Sequence, residues 1–176
     1  MRVRARGFGI KHDNHFARRT DTPGRPKERP TVEQLLHGVI IMSGNDACIV
    51  IAEALGGSEE AFAEMMTDRA RELGLESARF ANSTGWPHPD HRISAADRAE
   101  LARMIIADHP QFYSIWAERE FTYNGITQPN HDPIIGVVRG ADGIKTGFTN
   151  QAGYGFLGSA QRGSRRLVMV VAGAPN

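Results

Sequence analysis

The segment TVEQLLHGVIIMSGNDACIVIAEALGG, residues 31–57, contains two helical patterns separated by a short polar break. Thr31 and Gln34 stand three residues apart, a spacing that is typical of a capping box at a helix N-terminus. Apolar residues then recur at helical spacing, and they are Leu35, Leu36, Val39 and Ile40. The pattern therefore predicts that ordered structure begins at Thr31 with an amphipathic helix.

The polar break is Ser43-Gly44-Asn45, and a second helix is predicted to follow it from Asp46 to Leu55. A rigid junction of this kind can present a serine hydroxyl and an asparagine amide to a ligand. The same residue types are common in helix caps and turns, so these three residues alone do not define a site. Cys48, the single cysteine, lies among apolar residues and is interpreted as a small buried helix residue, not as a nucleophile.

Two further helices are predicted on either side of a loop. The third helix starts after Ser58 and ends at Gly74, and its predicted inner stripe consists of Phe62, Met65, Met66, Ala70 and Leu73. Residues 77–93 contain several glycines and prolines and are predicted to form the loop. Ser94, with Asp97 three residues later, predicts the N-terminal cap of the fourth helix.

The pattern changes from helices to strands in the last third of the chain. The strand-like runs are Phe121–Tyr123, Tyr154–Ala160 and Leu167–Ala172. Residues 161–164 read Gln-Arg-Gly-Ser and predict a hairpin turn between the last two runs. We therefore predict an α+β fold with one antiparallel sheet, in which residues 31–117 form the helical part and residues 118–176 are mainly sheet.

Charge is distributed unevenly along the 176 residues, whose net charge is +1. Residues 1–30 contain nine Lys/Arg and three Asp/Glu, so they carry +6 and the remainder carries −5. Only Phe8 and Phe16 are available there for base stacking, so a solvated tail is favoured over an arm that binds nucleic acid. No apolar run approaches the roughly 18–20 residues of a membrane span, and Met1–Ile10 lacks the apolar core of a signal peptide.

A second candidate motif is Asp142-Gly143-Ile144-Lys145-Thr146-Gly147, where a turn leads into a strand. The sequence has eighteen arginines and three lysines, and Lys145 is the only lysine after Lys27. A compact ammonium suits a site that binds a carboxylate and takes part in proton transfer. Thr146 adds a hydroxyl, and Gly147 would let another backbone approach the strand edge. By itself, Lys-Thr-Gly is a short match that an ordinary surface strand could also carry.

Together, Ser43-Gly44-Asn45 and Lys145-Thr146-Gly147 resemble two of the three motifs of the serine penicillin-binding protein and β-lactamase superfamily. Its signature is Ser-x-x-Lys, then Ser-x-Asn, then Lys-Thr-Gly. Within the superfamily the chain looks most like the low-molecular-mass D-alanyl-D-alanine carboxypeptidases. Matching segments are Thr31–Leu36, Met42–Ala47, Phe80–Gly85, His88–His91, Asp142–Gly147, Gln151–Tyr154 and Gly173–Pro175. The resemblance covers residues 31–176 and implies an incomplete β-lactamase/transpeptidase-like fold, with residues 1–30 outside it as a basic segment interpreted as disordered.

The resemblance implies a serine-type carboxypeptidase that removes the terminal D-alanine of the peptidoglycan stem peptide through an acyl-serine intermediate, without metal or cofactor. In that chemistry Ser43 would relay a proton between the catalytic lysine and the leaving D-alanine. Asn45 would hydrogen-bond the peptide carbonyl of the substrate and hold the catalytic lysine in place. Lys145 completes the set of catalytic residues that the resemblance implies.

The resemblance also implies how a substrate would bind. Lys145 and Thr146 would bind its terminal carboxylate, and Gly147 would let it lie along the strand. The backbone N–H of Phe148 would be one oxyanion-hole donor. The expected partners are stem peptides ending in D-Ala-D-Ala and, in the intact family, β-lactams; nucleic acid is not expected. The family acts in the periplasm or cell envelope, and membrane association would need segments that this sequence does not contain.

The sequence contains no Ser-x-x-Lys, the motif that would supply the nucleophilic serine and its lysine base. The residues three positions before its lysines are Phe8, Gly24 and Asp142. We therefore expect this polypeptide alone to be inactive. The composition of residues 1–30 suggests a truncated or out-of-frame start joined to a genuine gene body.

Three alternatives remain open. A β-lactamase of the class A pattern would need a Glu-x-x-Leu-Asn stretch, which the sequence lacks. A non-catalytic module that binds wall peptides is compatible with the absent Ser-x-x-Lys. A metalloenzyme would need a ligand cluster, and the candidates are His88, Asp90 and His91, or His12, Asp13 and His15. Neither set has ligand spacing on a helix face, so both are interpreted as loop residues.

Overall fold

The computed structural model describes residues 29–174, in which helices come first and strands last. The helices are α1 (Val32–Met42), α2 (Asn45–Gly56), α3 (Glu59–Glu72), α4 (Ala95–Asp108), α5 (Pro110–Tyr113) and a 3-10 helix at Ser114–Ala117. The strands are β1 (Glu120–Tyr123), β2 (Ile126–Pro129), β3 (Ala141–Thr149), β4 (Gly153–Arg162) and β5 (Arg165–Ala174). This order confirms the predicted α+β class. The described helices include none that is both long enough and apolar enough to cross a membrane. Most of the basic segment, with His12, Asp13 and His15, lies outside the described residues.

The described strands form two antiparallel sheets, where one was predicted. The larger sheet has the order β3-β4-β5, and Arg162 pairs with Arg165 next to the predicted hairpin turn. The smaller sheet is the hairpin β1-β2, whose turn residues Asn124 and Gly125 have φ of 49° and 76°. Both lie in the left-handed region that a two-residue hairpin turn favours. The prediction of one sheet was wrong because it omitted β2, although Asn-Gly is a strong hairpin signal.

The helix α1 lies at the centre of the main hydrophobic core. Leu35 and Ile41 are fully buried, and the cluster around them extends to the 3-10 helix and to Tyr123 of β1. At its N-terminus, the Thr31 hydroxyl accepts from the Gln34 N–H at 3.1 Å, and the Gln34 side chain accepts from the Thr31 N–H at 2.8 Å. The capping box is therefore confirmed. Because the cap fixes one end of α1 and the core fixes its face, the opposite end at residue 42 also has a defined position.

The inner face of α3 differs from the predicted one. Its buried residues are Ala63, Thr67 and Ala70, whereas Met65 is 50% exposed. The Thr67 hydroxyl accepts a hydrogen bond from the Phe80 N–H at 2.9 Å, so the following loop lies directly against this face. The prediction was wrong at Met65 because the helix buries its small residues, which let the loop backbone approach closely.

The N-terminal cap of α4 contains one of the two direct hydrogen bonds of a capping box. The Ser94 hydroxyl accepts from the Asp97 N–H at 3.0 Å. The Asp97 carboxylate accepts from both the N–H and the hydroxyl of Ser77, at 2.9 and 2.6 Å, and the Ser77 hydroxyl accepts from the Ser94 N–H at 2.8 Å. Asp97 therefore reaches the Ser94 N–H only through the Ser77 hydroxyl. These hydrogen bonds connect the loop before α4 to α4 itself, which packs on β5.

Two leucines on neighbouring helices provide a direct test of where the core lies. Leu35 is 0% exposed and Leu55 is 62% exposed. We expect Leu35→Ala to lower the free energy of unfolding by roughly 2–5 kcal/mol, because it leaves a cavity in the centre of the core. Leu55→Ala should change it by less than about 1 kcal/mol. Urea unfolding followed by circular dichroism measures both values, and equal losses would contradict the position assigned to α1.

Candidate active site

Ser43 lies at the junction of α1 and α2, where it is the C-terminal cap of α1. Its φ of 55° and ψ of 38° are left-handed, a conformation that costs a non-glycine residue roughly 1–2 kcal/mol. The N–H groups of Ser43 and Gly44 both donate to the Gly38 carbonyl, at 2.9 Å for Gly44. The chain reverses here before α2 begins at Asn45, so the Ser43 hydroxyl projects from a turn that backbone hydrogen bonds hold in place.

Lys145 reaches this junction from β3, although 102 residues separate it from Ser43. Its Nζ donates one hydrogen bond to Ser43 Oγ and another to the Thr146 carbonyl at 3.1 Å. On β3, Lys145 pairs with Leu157 of β4, so the register of the sheet fixes where the ammonium emerges. The motif order in the sequence predicted that these side chains would meet, and the structure brings them together.

Asn45 lies beside this pair as the first residue of α2 and is partly buried. Within the described residues its side chain makes no hydrogen bond to Ser43 or Lys145. In the role that the resemblance implies, Asn45 contacts a substrate and the lysine of Ser-x-x-Lys, and this sequence contains no such motif. The Asn45 amide therefore lies at the junction, where it is hydrogen-bonded to neither Ser43 nor Lys145.

Thr146, Gly147 and Phe148 continue β3 along an edge that the other described strands leave uncovered, since β3 pairs only with β4. A Cβ atom placed on Gly147 would meet no atom within 4 Å. Phe148 is 55% exposed, and its ring centroid lies 4.6 Å from that of Tyr154. The edge of β3 is therefore open along the stretch that follows the ammonium.

The electrostatics of Lys145 are set by burial and by two neighbours. Burial lowers the pKa of Lys145 from its ordinary value of 10.5, and Cys48 and Asp132 oppose this effect. Burial raises the pKa of Cys48 to about 11, so this partly buried thiol is neutral at neutral pH. A lowered pKa makes this ammonium a stronger acid than that of an exposed lysine. The folded protein then binds fewer protons than the unfolded chain, so this group makes the free energy of unfolding rise with pH between the lowered pKa and 10.5.

Two residues that the sequence analysis did not single out face Lys145 from the loop after β2. Burial raises the pKa of Asp132, which is 8% exposed, while hydrogen bonds from the Ile134 and Ile135 N–H groups and the charge of the Lys145 ammonium lower it. Burial also lowers the pKa of His131, and the Lys145 ammonium lowers it further. Neither residue belongs to a motif, and only the folded chain brings them near the ammonium, so local pattern gave no signal for them.

A hydrogen-bond network supports the start of β3 behind the lysine motif. Arg166 of β5 forms an ion pair with Asp142 at 2.7 Å and donates to the Ser159 hydroxyl at 2.6 Å. The Tyr113 hydroxyl donates to Asp142 at 3.1 Å, and burial raises the pKa of Tyr113 to about 12, so the hydroxyl remains a donor. The network fixes α5 and all three strands of the larger sheet around Asp142. The sequence marked Asp142 as a turn residue but gave no signal for Arg166.

The described histidines that were considered as metal ligands make other contacts. His91 Nδ1 accepts from the Ala81 N–H at 3.3 Å, and its ring meets the Phe80 ring edge-on at 5.5 Å between centroids. His88 Nδ1 accepts from the Asp90 N–H at 3.1 Å. Residues 29–174 contain no group of three or more ligating side chains arranged to hold a metal ion.

The sequence profile of the peptidase S11 family, described as D-alanyl-D-alanine carboxypeptidase, matches residues 10–176. The chain belongs to this family. The match confirms the resemblance that the motifs carried. It also begins at residue 10, so it includes much of the basic segment that the resemblance had left outside.

Individual carboxypeptidases and penicillin-binding proteins agree with the family assignment. The D-alanyl-D-alanine carboxypeptidase DacD of Escherichia coli (strain K12) is 40% identical over 148 residues, which are 84% of this chain and 38% of that relative. Penicillin-binding protein 5 from Haemophilus influenzae is 38% identical with a TM-score of 0.81, over 85% of this chain and 44% of that one. Penicillin-binding protein D2 from Listeria monocytogenes, in its cefotaxime-bound form, is 26% identical with a TM-score of 0.87, over 100% and 70%.

These relatives confirm the penicillin-binding, transpeptidase-like fold of the carboxypeptidase family for the part of the molecule that this chain represents. The chain spans about two fifths of the length of the curated relative, 38% for DacD. The described residues contain the helical junction and the lysine strand, which are the two motifs that the sequence contains.

A pair of substitutions at Ser43 separates backbone strain from the hydroxyl group. Both Ser43→Gly and Ser43→Ala remove the acceptor of the Lys145 hydrogen bond, but only glycine adopts the left-handed conformation without a steric cost. We expect the glycine variant to have the higher free energy of unfolding, by about 1 kcal/mol. Urea unfolding of the two variants side by side measures the difference. A more stable alanine variant would contradict the conformation described for this turn.

Proposed function

We propose that this chain forms the carboxylate-binding part of the active site of a serine-type D-alanyl-D-alanine carboxypeptidase. The proposed substrate is the peptidoglycan stem peptide, from which the enzyme removes the terminal D-alanine. The observation that carries the proposal is the contact between the Lys145 ammonium and the Ser43 hydroxyl beside an open strand edge. Family membership supports the same activity.

The ammonium of Lys145 provides the charge that a terminal carboxylate requires. Its Nζ can donate three hydrogen bonds, and two of them go to Ser43 and Thr146. The third is available to a ligand that approaches along β3. A hydrogen bond to a charged group contributes roughly 1.5–3 kcal/mol, so we propose that Lys145, assisted by the Thr146 hydroxyl, is the main determinant of carboxylate binding.

The edge of β3 supports binding of the substrate as an added strand. Peptides bind in this way when a sheet edge offers free N–H and C=O groups. The N–H and C=O groups of one strand residue point to the same side, and the direction alternates along the strand. The Thr146 carbonyl accepts from Lys145 Nζ. Phe148 is two residues further along β3, so its N–H points to the same side of the strand as the Thr146 carbonyl and has the same parity. This parity supports the proposed role of the Phe148 N–H in an oxyanion hole, and the open space at Gly147 supports close approach of the substrate backbone.

The proposed reaction proceeds in two steps through an acyl-serine. The serine of a Ser-x-x-Lys motif, which this sequence does not contain, attacks the peptide carbonyl and loses its proton to the lysine of that motif. The C–N bond then breaks, and the departing D-alanine amine takes up a proton, which Ser43 is proposed to relay from the lysine of the Ser-x-x-Lys motif. Water hydrolyses the acyl-serine in the second step. Asn45, at the same junction, is proposed to hydrogen-bond the substrate carbonyl.

The proposed setting of this activity follows from the substrate. Peptidoglycan lies outside the cytoplasmic membrane, so we propose that the complete enzyme works in the periplasm or cell envelope. β-Lactams are proposed as ligands of the complete enzyme, and solved structures of penicillin-binding protein D2 from Listeria monocytogenes are described in cefotaxime-bound and ampicillin-bound forms. An acyl-serine route uses only side chains and water, so the proposal requires neither metal nor cofactor.

A second candidate is a non-catalytic module that binds peptidoglycan peptides. It is favoured by one observation, namely that the sequence keeps the carboxylate-binding motif and contains no Ser-x-x-Lys. Both candidates use Lys145 in the same way, and they differ in whether a nucleophile joins the site. The family profile favours the carboxypeptidase over a β-lactamase.

Carboxylate binding can be measured on this chain directly. We expect Lys145→Met to weaken binding of a diacetyl-L-Lys-D-Ala-D-Ala peptide by roughly 10- to 100-fold, because it removes a charged hydrogen-bond donor. Chemical-shift titration by NMR measures the dissociation constants. The matched control is Arg69→Met, which removes a positive charge from an exposed side chain of α3 and should leave binding unchanged.

The same peptide with a C-terminal amide provides a second control. It lacks the carboxylate, so it should bind the unsubstituted chain and Lys145→Met equally weakly. If the acid form bound equally well before and after Lys145→Met, the proposed carboxylate site would be wrong.

The absence of Ser-x-x-Lys predicts the response to penicillin. We expect this chain to form no covalent adduct with a fluorescent penicillin, since removal of a catalytic serine typically costs on the order of 10⁶ in kcat. Denaturing gel electrophoresis after incubation measures labelling, and a labelled band would contradict the prediction. A version extended by upstream coding sequence that contains an in-frame Ser-x-x-Lys should be labelled if the carboxypeptidase proposal holds. An extended chain that binds the peptide without being labelled would favour the binding module.

A further inference from the structure

The start of β3 contains an irregularity just before the lysine motif. Ala141 pairs with Ala160 of β4, and Gly143 pairs with Ser159, so β3 advances by two residues where β4 advances by one. Asp142 is the extra residue and has no partner in β4. A bulge of this kind leaves its residue outside the ladder, and the register on either side of it depends on where it lies.

Arg166 is the residue that holds Asp142. Its side chain starts on β5 and reaches across β4, where its guanidinium donates to the Ser159 hydroxyl and to the Gln161 side-chain oxygen, both at 2.6 Å. On β3 it forms the ion pair with Asp142 at 2.7 Å. Neighbouring strands lie about 4.8 Å apart, so this path spans two strand spacings. The planar guanidinium serves all three acceptors at once, which the compact ammonium of a lysine cannot do.

Two aromatic residues enclose the same place from the helical part of the chain. The guanidinium carbon of Arg166 lies 5.4 Å from the centroid of the Tyr113 ring, and the Tyr113 hydroxyl donates to Asp142 at 3.1 Å. The Tyr113 ring stacks on Trp116 at 5.5 Å between centroids. A Cβ atom placed on Gly143 would lie 3.0 Å from the Cβ of Trp116, so Trp116 lies directly against this backbone. The contacts therefore enclose the two residues at which the register shifts.

The position of the bulge decides where Lys145 points. Lys145 follows Asp142 by three residues and pairs with Leu157. An extra residue after Lys145, instead of at Asp142, would pair Lys145 with Phe156, and a slip of one residue turns a side chain to the opposite face of a sheet. The ammonium would then point away from Ser43. Among the described strands β3 pairs only with β4, so no second strand holds the register.

We propose that Arg166 is a positioning residue of this site, which fixes the bulge of β3 at Asp142 and thereby directs the Lys145 ammonium toward Ser43. The part of this inference that concerns substrate rests on the proposed function. The part that concerns the register involves only residues of this chain, and it is measurable without a ligand.

The decisive experiment is an NMR comparison of the unsubstituted chain with Arg166→Met. The sequence has three lysines, so ¹³C-labelled lysine gives few side-chain signals, and Lys145→Met assigns those of Lys145. The nuclear Overhauser effect between the Lys145 Hε and Ser43 Hβ protons reports their contact, and the effects between the backbones of Lys145 and Leu157 report the register. We expect both to weaken in Arg166→Met. Unchanged intensities would overturn the proposal.

Two control variants make the result specific. Thr67→Val removes the acceptor of the Phe80 N–H in a buried part of α3, so it lowers stability without touching β3. Arg69→Met removes an exposed arginine of α3. Both variants should keep the contact between Lys145 and Ser43. An equal loss of that contact in Thr67→Val would show a general effect of stability and would overturn the role of Arg166.

A second variant covers the case in which Arg166→Met does not fold. Asp142→Asn removes the charge that pairs with Arg166 and keeps an oxygen that can accept from the Tyr113 hydroxyl. We expect the same weakening of the contact between Lys145 and Ser43. If the contact kept its full intensity in Asp142→Asn, the bulge would be fixed without the ion pair and the proposal would be wrong.

A double-mutant cycle tests whether Arg166 acts through Lys145. We expect Arg166→Met to weaken binding of the D-Ala-D-Ala peptide by about tenfold, because the ammonium no longer faces the ligand. In the Lys145→Met background the same substitution should have no further effect. A loss of equal size in both backgrounds would show that Arg166 acts independently of Lys145, and it would overturn the proposal.

The two measurements together separate this inference from the proposed function. If the contact between Lys145 and Ser43 weakens in Arg166→Met but the unsubstituted chain does not bind the peptide, the positioning role stands and the proposed function fails. If the contact is unchanged and both proteins bind the peptide equally, the proposed function stands and the role of Arg166 fails.

Discussion

The hydrogen bond from Lys145 Nζ to Ser43 Oγ joins the sheet to the helical part of the chain. A partly buried ammonium needs acceptors, because an unpaired charge away from water is costly. Ser43 provides one because the left-handed turn after α1 exposes its hydroxyl, and the Thr146 carbonyl provides another. The contact therefore requires that α1 end at Met42 and that β3 keep its register with β4, so the helix cap, the core around α1 and the sheet all act on one pair of atoms.

The elements that make this contact could be predicted from the sequence because local forces decide them. A capping box and one apolar face are enough to place the start of α1. The rarity of lysine singled out Lys145, but periodicity and composition could not show that it meets Ser43. That pairing came from the order of two short motifs and from the resemblance they carry, since no local rule connects residues 102 positions apart.

The features that the sequence did not predict depend on contacts between distant segments. Met65 was assigned to the inner face of α3 because it is apolar, yet the helix buries Ala63 and Thr67, which allow the loop backbone to approach. Size decided this contact, and hydrophobicity did not. Arg166 and Asp132 are ordinary charged residues in the sequence. Arg166 acquires its role from an ion pair with a residue 24 positions earlier, and Asp132 comes near Lys145 only in the folded chain.

Unfavourable features of the structure collect around the same few atoms. Ser43 has a left-handed backbone, burial lowers the pKa of Lys145, and Asp132 Oδ2 lacks a partner among the described residues. Elsewhere, the caps of α1 and α4 are satisfied and the buried residues are mostly apolar. A lysine with a purely structural role would be expected to have all three donors occupied, or to form a direct ion pair. Lys145 has two acceptors among the described residues and lies beside a strand edge that no described strand covers, which supports the proposal that a ligand completes this site.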